Sequence, residues 1–248
     1  MKIFKNKKIL ITGATKGLGL ICVEHFSKLG ANIYAVGRDA KFILRFKSKK
    51  IKFIKTNFLE EGDKKKFFED IIKIKNFDII IHCLGGGLGI KQPLLTLEDF
   101  IKLFKINLGI ASEINLKIFK NLNKKESYII HIGSTASTEA IGSVGYNSIK
   151  AAIVAYVKSL AVSLINNKIY VSSILPGAFI APGNAFERLK KNNLKIYNNF
   201  IKFRLPRKRI ANANELIPLI EILCSKKGQM LAGTSVTIDA CETKSYKF

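Results

Sequence analysis

The 248-residue sequence is short of acid: 18 Asp and Glu stand against 42 Lys and Arg, a net charge of +24. It is also short of arginine, with six, so the excess is almost all lysine and is spread along the whole chain. A surplus of this sign can mark nucleic acid, an anionic membrane or an acidic substrate as partner. The joint abundance of Lys, Ile, Asn and Phe instead matches the codon usage of an AT-rich genome. The charge by itself then names no partner, no specific nucleic acid is expected, and only a modest preference for anionic ligands is left. Cysteine is scarce too. Cys22, Cys83, Cys224 and Cys241 form no C-x-x-C pair and no metal-ligand spacing, which argues against a zinc site or a disulfide framework and fits free thiols in a reducing compartment. No uncharged apolar run nears the ~20 residues of a membrane span. The basic start, Met1 to Lys8, is followed only by Ile9-Leu10-Ile11 before Thr12-Gly13, too short for the apolar core of a signal peptide. A cytoplasmic protein without a membrane partner is the expectation. Repeats, low-complexity tracts and linkers are also missing, so residues 1–248 read as one domain, long enough to bury roughly 70% of its unfolded surface.

What is there is an alternation of apolar strands and periodic helices. Lys8–Thr12 reads as a strand and is followed at once by Gly13-Ala14-Thr15-Lys16-Gly17-Leu18-Gly19. Residues 20–29 carry helical periodicity and stop at Gly30, and 31–36 read as a second strand. Strand, glycine loop, helix, strand is a dinucleotide-binding unit, in which the glycines let backbone N–H groups approach a pyrophosphate at the helix N-terminus. At the end of the second strand an acid would hold the ribose 2′-OH of NAD. Here that place holds Gly37-Arg38, with Asp39 one residue beyond. Arg38 can pair with a 2′-phosphate in forked geometry, and Lys16 adds a second cation, so NADP(H) is expected over NAD(H). Residues 40–50 and Glu61 to Lys75 read as helices, 51–56 as a third strand and 77–85 as a fourth, buried one. His82 at its end is read as packing, not catalysis. The glycine run Gly85-Gly86-Gly87-Leu88-Gly89 opens space, and Lys91-Gln92 can reach a polar substrate from it. Thr96 is a good N-cap for the next helix, which carries Asn107. Residues 128–132 and 169–175 read as two more strands, 215–224 as a helix and 233–239 as the last strand. The fold class is therefore α/β: a single doubly wound, Rossmann-like parallel sheet with helices on both faces.

The richest stretch runs from Ser134 to Lys150. A hydroxyl, Ser134, sits just past a strand end. Tyr146 and Lys150 follow four residues apart, on the same face of one helix. A free tyrosine titrates near ~10. A cation one turn away favours the phenolate and is expected to pull that value down, which makes the trio a proton-transfer device.

Thr12-Gly13-x-x-x-Gly17-x-Gly19 together with Tyr146-x-x-x-Lys150 resembles the short-chain dehydrogenase/reductase family, in its type of about 250 residues, over about residues 7 to 240. The resemblance implies that Ser134 holds the substrate oxygen, Tyr146 transfers the proton, Lys150 supports Tyr146 and the nicotinamide ribose, and Asn107 disturbs its helix and links Lys150 to solvent. It implies cofactor contacts from Gly13, Thr15, Lys16, Gly17, Leu18, Gly19, Arg38, Asn57, Phe58, Gly85, Tyr146, Lys150, Pro176, Gly177 and Phe179. Asn57-Phe58 stands where the family has Asp and an apolar residue beside the adenine, and Asn can still accept from the exocyclic amine. The sequence departs from the family at His82-Cys83-Leu84-Gly85, where Asn-Asn-Ala-Gly is usual, at Ala181, where a Thr is usual, and at Ile238-Asp239-Ala240-Cys241 near the end. Ser134 and Tyr146 are 12 apart, one fewer than the usual spacing, so a loop shorter by one residue is expected.

The function implied is an NADP(H)-dependent oxidoreductase that interconverts a ketone and a secondary alcohol, without a metal. Basic and aromatic residues interleave in the variable lid at about 182–206, which tilts the substrate slightly toward a phosphorylated or nucleotide-linked sugar. A 3-oxoacyl-acyl-carrier-protein-type reductase is the alternative. A catalytically inactive NADP-binding sensor or scaffold is the alternative from another class. Helices around 99–122 and 147–165 are those the family uses for contacts between copies, so a homodimer or homotetramer is expected.

Overall fold

The computed structural model describes residues 3–41, 46 and 48–246. Its strands are β1 (Lys8–Thr12), β2 (Asn32–Gly37), β3 (Ile51–Lys55), β4 (Ile79–His82), β5 (Ser127–Ile132), β6 (Ile169–Pro176), β7 (Phe179–Ile180), β8 (Ala211–Asn212) and β9 (Ser235–Ile238). Seven of them pair in parallel in the order β3-β2-β1-β4-β5-β6-β9, and β7 pairs with β8 apart from this sheet. The order reverses between β1 and β4, so the crevice at their carboxyl ends is the place where such sheets bind ligands.

Alternation along each strand supplies two cores. Ile9 and Ile11, Ile79 and Ile81, and Ile130 with Ile174 point to one face, where α1 (Gly17–Lys28) packs. Leu10, Ile80, Ile129 and Val171 point to the other, against α2 (Glu61–Ile71). Both faces are covered, as parallel sheets require, and each fully buried Ile contributes about 2–3 kcal/mol of transfer free energy.

The next helix breaks and resumes. After α3 (Leu97–Phe104), Lys105–Gly109 form a π turn, and α4 (Ile110–Ile118) continues on the second core face. Thr96 caps α3, its Oγ1 accepting from Asp99 N at 3.2 Å. Then come α5 (Val144–Leu164), the lid pair α6 (Ala185–Asn192) and α7 (Leu194–Arg204), and α8 (Ile217–Leu223), which joins α1 on the first face. By length and composition α5 could cross a membrane, at mean hydropathy 1.6. It instead buries Ile149, Ile153, Val157 and Ala161 against the sheet and carries Lys150 into the interior.

Two expected elements differ. The helix over 40–50 falls partly outside the described residues, and those described (Ala40, Lys41, Phe46 and 48–50) are not helical. The helix expected from Glu61 to Lys75 ends at Ile71. The Asn121 side-chain amide donates to the carbonyls of Ile72 and Ile74, both at 2.6 Å, and Asn76 takes a left-handed backbone, φ 60°. That amide takes up the carbonyls at the helix end.

Candidate active site

The carboxyl ends of β1, β4, β5 and β6 bring four segments together: the glycine loop, residues 82–89, residues 133–143, and the turn Pro176-Gly177. The glycine loop is tight because it cannot be otherwise. Gly13 has φ +62°, and a Cβ there would lie 2.8 Å from the backbone of Cys83 and Leu84. A Cβ on Gly19 would lie 2.4 Å from the Gly13 carbonyl oxygen. The loop is thereby pressed against the exit of β4.

Lys150 enters from α5. It is 4% exposed, its Nζ donates to the Ile132 carbonyl at 3.1 Å, and it sits 5.5 Å from the centroid of the Tyr146 ring. Burial lowers its pKa to about 8. Tyr146 departs from the expectation. Burial raises the pKa of its phenol, and the contribution that lowers it is a hydrogen bond with Ser134, not the Lys150 charge. The ammonium is turned to the Ile132 carbonyl, and the phenol sits in a place that penalises the phenolate. Burial thus favours the protonated phenol of Tyr146.

Among the hydroxyls that compete with Ser134, three are bonded elsewhere. Thr135 Oγ1 donates to the Pro176 carbonyl at 3.3 Å, Ser137 Oγ to the Lys150 carbonyl at 2.9 Å, and Thr138 Oγ1 to the Thr135 carbonyl at 3.3 Å. Ser143 sits at the N-cap of α5 without a side-chain cap bond. Ser134 Oγ accepts from Ala136 N at 3.1 Å, which fixes its rotamer, and Ser134 is the neighbour that favours the Tyr146 phenolate. The shorter loop has not displaced the pair.

Asn107 lies inside the π turn. Its amide donates to the Leu103 and Gly86 carbonyls, and its Oδ1 accepts from Gly86 N, all at 2.9 Å. The disturbed helix is as expected. What the side chain holds here is the glycine-rich loop. A Cβ on Gly85 would lie 2.7 Å from Asn107 Oδ1 and 3.4 Å from Lys150 Nζ, so Asn107, Gly85 and Lys150 form one contact.

The other expected cofactor contacts divide. Thr15 abuts Gly37, where a Cβ would lie 2.5 Å from Thr15 Cγ2. Arg38 and Lys16 are both exposed at the rim. Leu18 and Phe58 are 5% and 4% exposed, with side chains in the two cores, so only their backbones are available to a ligand. Asn57 Oδ1 accepts from Leu59 N at 3.3 Å, a local cap. Phe179 opens β7, its carbonyl accepting from Asn184 Nδ2 at 2.7 Å. Gln92, expected to reach a substrate, donates to Asp99 Oδ2 at 3.0 Å.

His82 is structural, as expected. Its Nε2 lies 2.9 Å from Asn115 Oδ1, its ring packs 4.7 Å from that of His131, and burial lowers its pKa to about 4. Its partners went unread in the sequence, although Asn115 lies two helical turns beyond Asn107. Also unread was Glu242, whose Oε2 accepts from Ala178 N at 2.5 Å and so holds the turn after Pro176-Gly177. Arg204 ties the same carboxylate to the loop after β5, at 3.9 Å from Glu242 and 3.2 Å from Glu139. Pairs 64 residues apart leave no local signal.

A cavity of about 420 Å³ lies at the other end of the sheet, lined by Phe4, Lys28, Leu29, Gly30, Lys50 and Glu221. None of the proton-transfer groups touches it. Among the described residues no cluster of His, Cys, Asp or Glu could hold a metal ion.

The chain is similar to known proteins in sequence and in fold. The chain is similar to a 3-oxoacyl-acyl-carrier-protein reductase of Aquifex aeolicus, 23% identical over 95% of this chain and 96% of that one. It is also similar to a 2-dehydro-3-deoxy-D-gluconate 5-dehydrogenase of Formosa agariphila, 27% identical over 95% of this chain and 92% of that one. Its fold matches L-sorbose reductase from Gluconobacter frateurii, solved with NADPH and L-sorbose, at TM-score 0.85 and 22% identity over 99% of this chain and 100% of that one. A family model described as short chain dehydrogenase matches residues 7–192, the span that carries the glycine loop, Asn107, Ser134, Tyr146 and Lys150, and the chain belongs to the short chain dehydrogenase family.

Proposed function

We propose that this protein is an NADP(H)-dependent oxidoreductase that interconverts a ketone and a secondary alcohol, with Ser134, Tyr146 and Lys150 as its proton-transfer machinery. The observation that carries the chemistry is geometric: Lys150 Nζ lies 5.5 Å from the centroid of the Tyr146 ring, with burial favouring the phenol and the Ser134 hydroxyl favouring the phenolate.

The residues fit the cofactor. Lys16 and Arg38 stand at the end of β2, and Lys16, though exposed, has its pKa lowered by partial burial first, then by the charges of Arg188 and Arg38. An uncompensated cation group of this kind suits a phosphate dianion. Gly13, Gly17, Gly19 and Gly85 bring backbone to the same crevice, where the pyrophosphate and the nicotinamide ribose would lie. When bound, the nicotinamide supplies or accepts the hydride. Ser134 orients the carbonyl oxygen, and Tyr146 donates its hydroxyl proton to that oxygen as charge develops. Lys150, held against the Ile132 carbonyl, would hold the nicotinamide ribose, and Asn107 holds Gly86 and so fixes the wall behind Lys150.

For the substrate, a phosphorylated or nucleotide-linked sugar is favoured by the basic, aromatic lid: Lys190 lies 5.8 Å from the Tyr197 ring and Phe186 packs on Phe200 at 5.0 Å. An acyl-carrier-protein thioester is the second reading, supported by the Aquifex relative and by the basic rim that would attract an acidic carrier. Exposed apolar residues on α4 and α5, Leu116 at 74% and Val162 at 67%, suit contacts between copies in a homodimer or homotetramer. The test is an NADPH-oxidation screen across keto-sugars, sugar nucleotides and β-ketoacyl thioesters. Turnover is expected in at least one class, and NADPH consumption in none of them would favour a binding protein without catalysis.

A further inference from the structure

The lid is built into the glycine loop. The Pro182 carbonyl accepts from Gly17 N at 2.7 Å. Gly183 follows with φ +71°, and a Cβ on it would lie 3.1 Å from Lys16 Cβ. Gly183 is in turn wrapped by the first turn of α6: its N–H donates to Glu187 Oε2 at 2.7 Å, and its carbonyl accepts from Arg188 Nη1 at 2.5 Å. The Asn184 side chain caps this turn, accepting from Glu187 N at 2.9 Å. The Arg188 guanidinium is therefore held on the lid side of Lys16, while Arg38 approaches from the end of β2.

Three cations thus approach from three elements: Thr15, before Lys16, abuts Gly37, before Arg38, while Lys16 Cβ lies against Gly183, whose carbonyl holds Arg188. The carboxylates beside them already have partners. Glu187 is bonded to Gly183 N and to Lys191 at 3.3 Å, and Asp39 Oδ1 accepts from Lys41 N at 2.9 Å. Bringing like charges together costs free energy, and the pKa of the Lys16 ammonium, lowered first by burial, is lowered further by Arg188 and Arg38. A dianionic ligand would repay it.

We propose that Arg188 completes, with Lys16 and Arg38, a phosphate-monoester site that bridges the glycine loop and the lid, and that its occupant is the phosphate on the cofactor ribose. The inference rests on the NADP(H) reading above and goes beyond it: selectivity for the phosphorylated cofactor is assigned partly to the substrate lid. A phosphorylated substrate offers the same chemistry, and the two sources separate experimentally.

The experiment measures binding of NADPH and NADH by nicotinamide fluorescence, and competition by 2′-AMP and by ribose 5-phosphate, for the wild type, Arg38→Gln, Arg188→Gln and Arg188→Lys. Circular dichroism monitors folding. Arg188→Gln is expected to weaken NADPH about tenfold or more, the scale of one lost charge-assisted contact, to weaken 2′-AMP in parallel, and to leave NADH within about twofold. Arg188→Lys, which keeps the charge without the fork, is expected to fall between. NADPH affinity unchanged in Arg188→Gln while Arg38→Gln loses it would overturn the assignment and leave the cofactor reading intact. Equal losses of NADPH and NADH would show a structural role and overturn it as well. Loss confined to ribose 5-phosphate would transfer the site to the substrate. A wild type that binds NADH as tightly as NADPH would remove the cofactor reading and this inference with it.

Discussion

Two walls face each other across the crevice, and they are held in different ways. The wall of β5 and α5 is bonded across elements: Lys150 to Ile132, Ser137 to the Lys150 carbonyl, Thr135 to Pro176, and Asn107 to Gly86. The wall of the lid is bonded mostly to itself, through Asn184, Glu187, Arg188 and Asn193 within α6 and the turn into α7. It touches the rest of the molecule polarly at a few points, Gly17 with Pro182 and Arg204 with Glu139 and Glu242 among them. Facing it, Gly86 and Gly89 have no neighbour within 4 Å of a built Cβ. The difference teaches where each property resides. Proton transfer needs fixed geometry, and the proposed groups for it are on the cross-bonded wall. Substrate choice needs room and adjustable contacts, and the proposal assigns it to the other.

The comparison can be sharpened by substitution. Lys150→Met should produce the largest change, a loss of turnover of about 10²–10⁴-fold, the range for a missing acid–base partner. Because burying that ammonium is costly, the variant should melt no lower than the wild type in spite of its inactivity; a large drop in Tm would show that the Ile132 contact matters more than the charge. The wild-type reduction rate should be flat below about pH 8, where Lys150 is charged, and fall above it as the ammonium deprotonates.

His82 tests the floor beneath the site. Its pKa is lowered to about 4 by burial, below the unfolded value of about 6.5. The neutral ring is therefore favoured in the folded state, and stability is lost as pH falls from about 6.5 through 4, by about 3 kcal/mol in full. His82→Asn should flatten that acid slope in denaturant titrations; an unchanged slope would mean that other groups set it. Asn107→Ala removes the partner of both polar groups of Gly86, for about 1–3 kcal/mol of stability, and should speed hydrogen exchange in 85–89 before that in α5. At the small end, Phe203 is 77% exposed on the lid. Phe203→Ser should move stability by less than about 0.5 kcal/mol and change KM, not kcat. A fall in kcat there would erase the distinction between the walls.

How much of this was legible follows the same division. The strands could be read because isoleucines at alternate positions fill two cores at once, as in Ile79, Ile80 and Ile81. The glycine loop and the Tyr146–Lys150 pair are local spacings, and Asn107 announces its π turn as an asparagine inside a helix. The direction of the Tyr146 shift was not legible, because the Lys150 ammonium turns to the Ile132 carbonyl and burial, which raises the phenol pKa, is a property of the assembled crevice. Nor was the end of α2, set by Asn121 from 47 and 49 residues away. The same holds for Arg188 beside Lys16 and for Glu242 on Ala178. These contacts join distant segments by single hydrogen bonds or charges, without periodicity to betray them.

The central claim, that Tyr146 is the proton donor of a ketone–alcohol oxidoreductase, is tested most directly by Tyr146→Phe. NADPH affinity and single-turnover reduction of a carbonyl found active in the screen should be measured on the same preparation. The account expects NADPH binding within about twofold of wild type and reduction slowed by about 10²–10⁴-fold. Reduction within about tenfold of wild type, with NADPH bound, would contradict it.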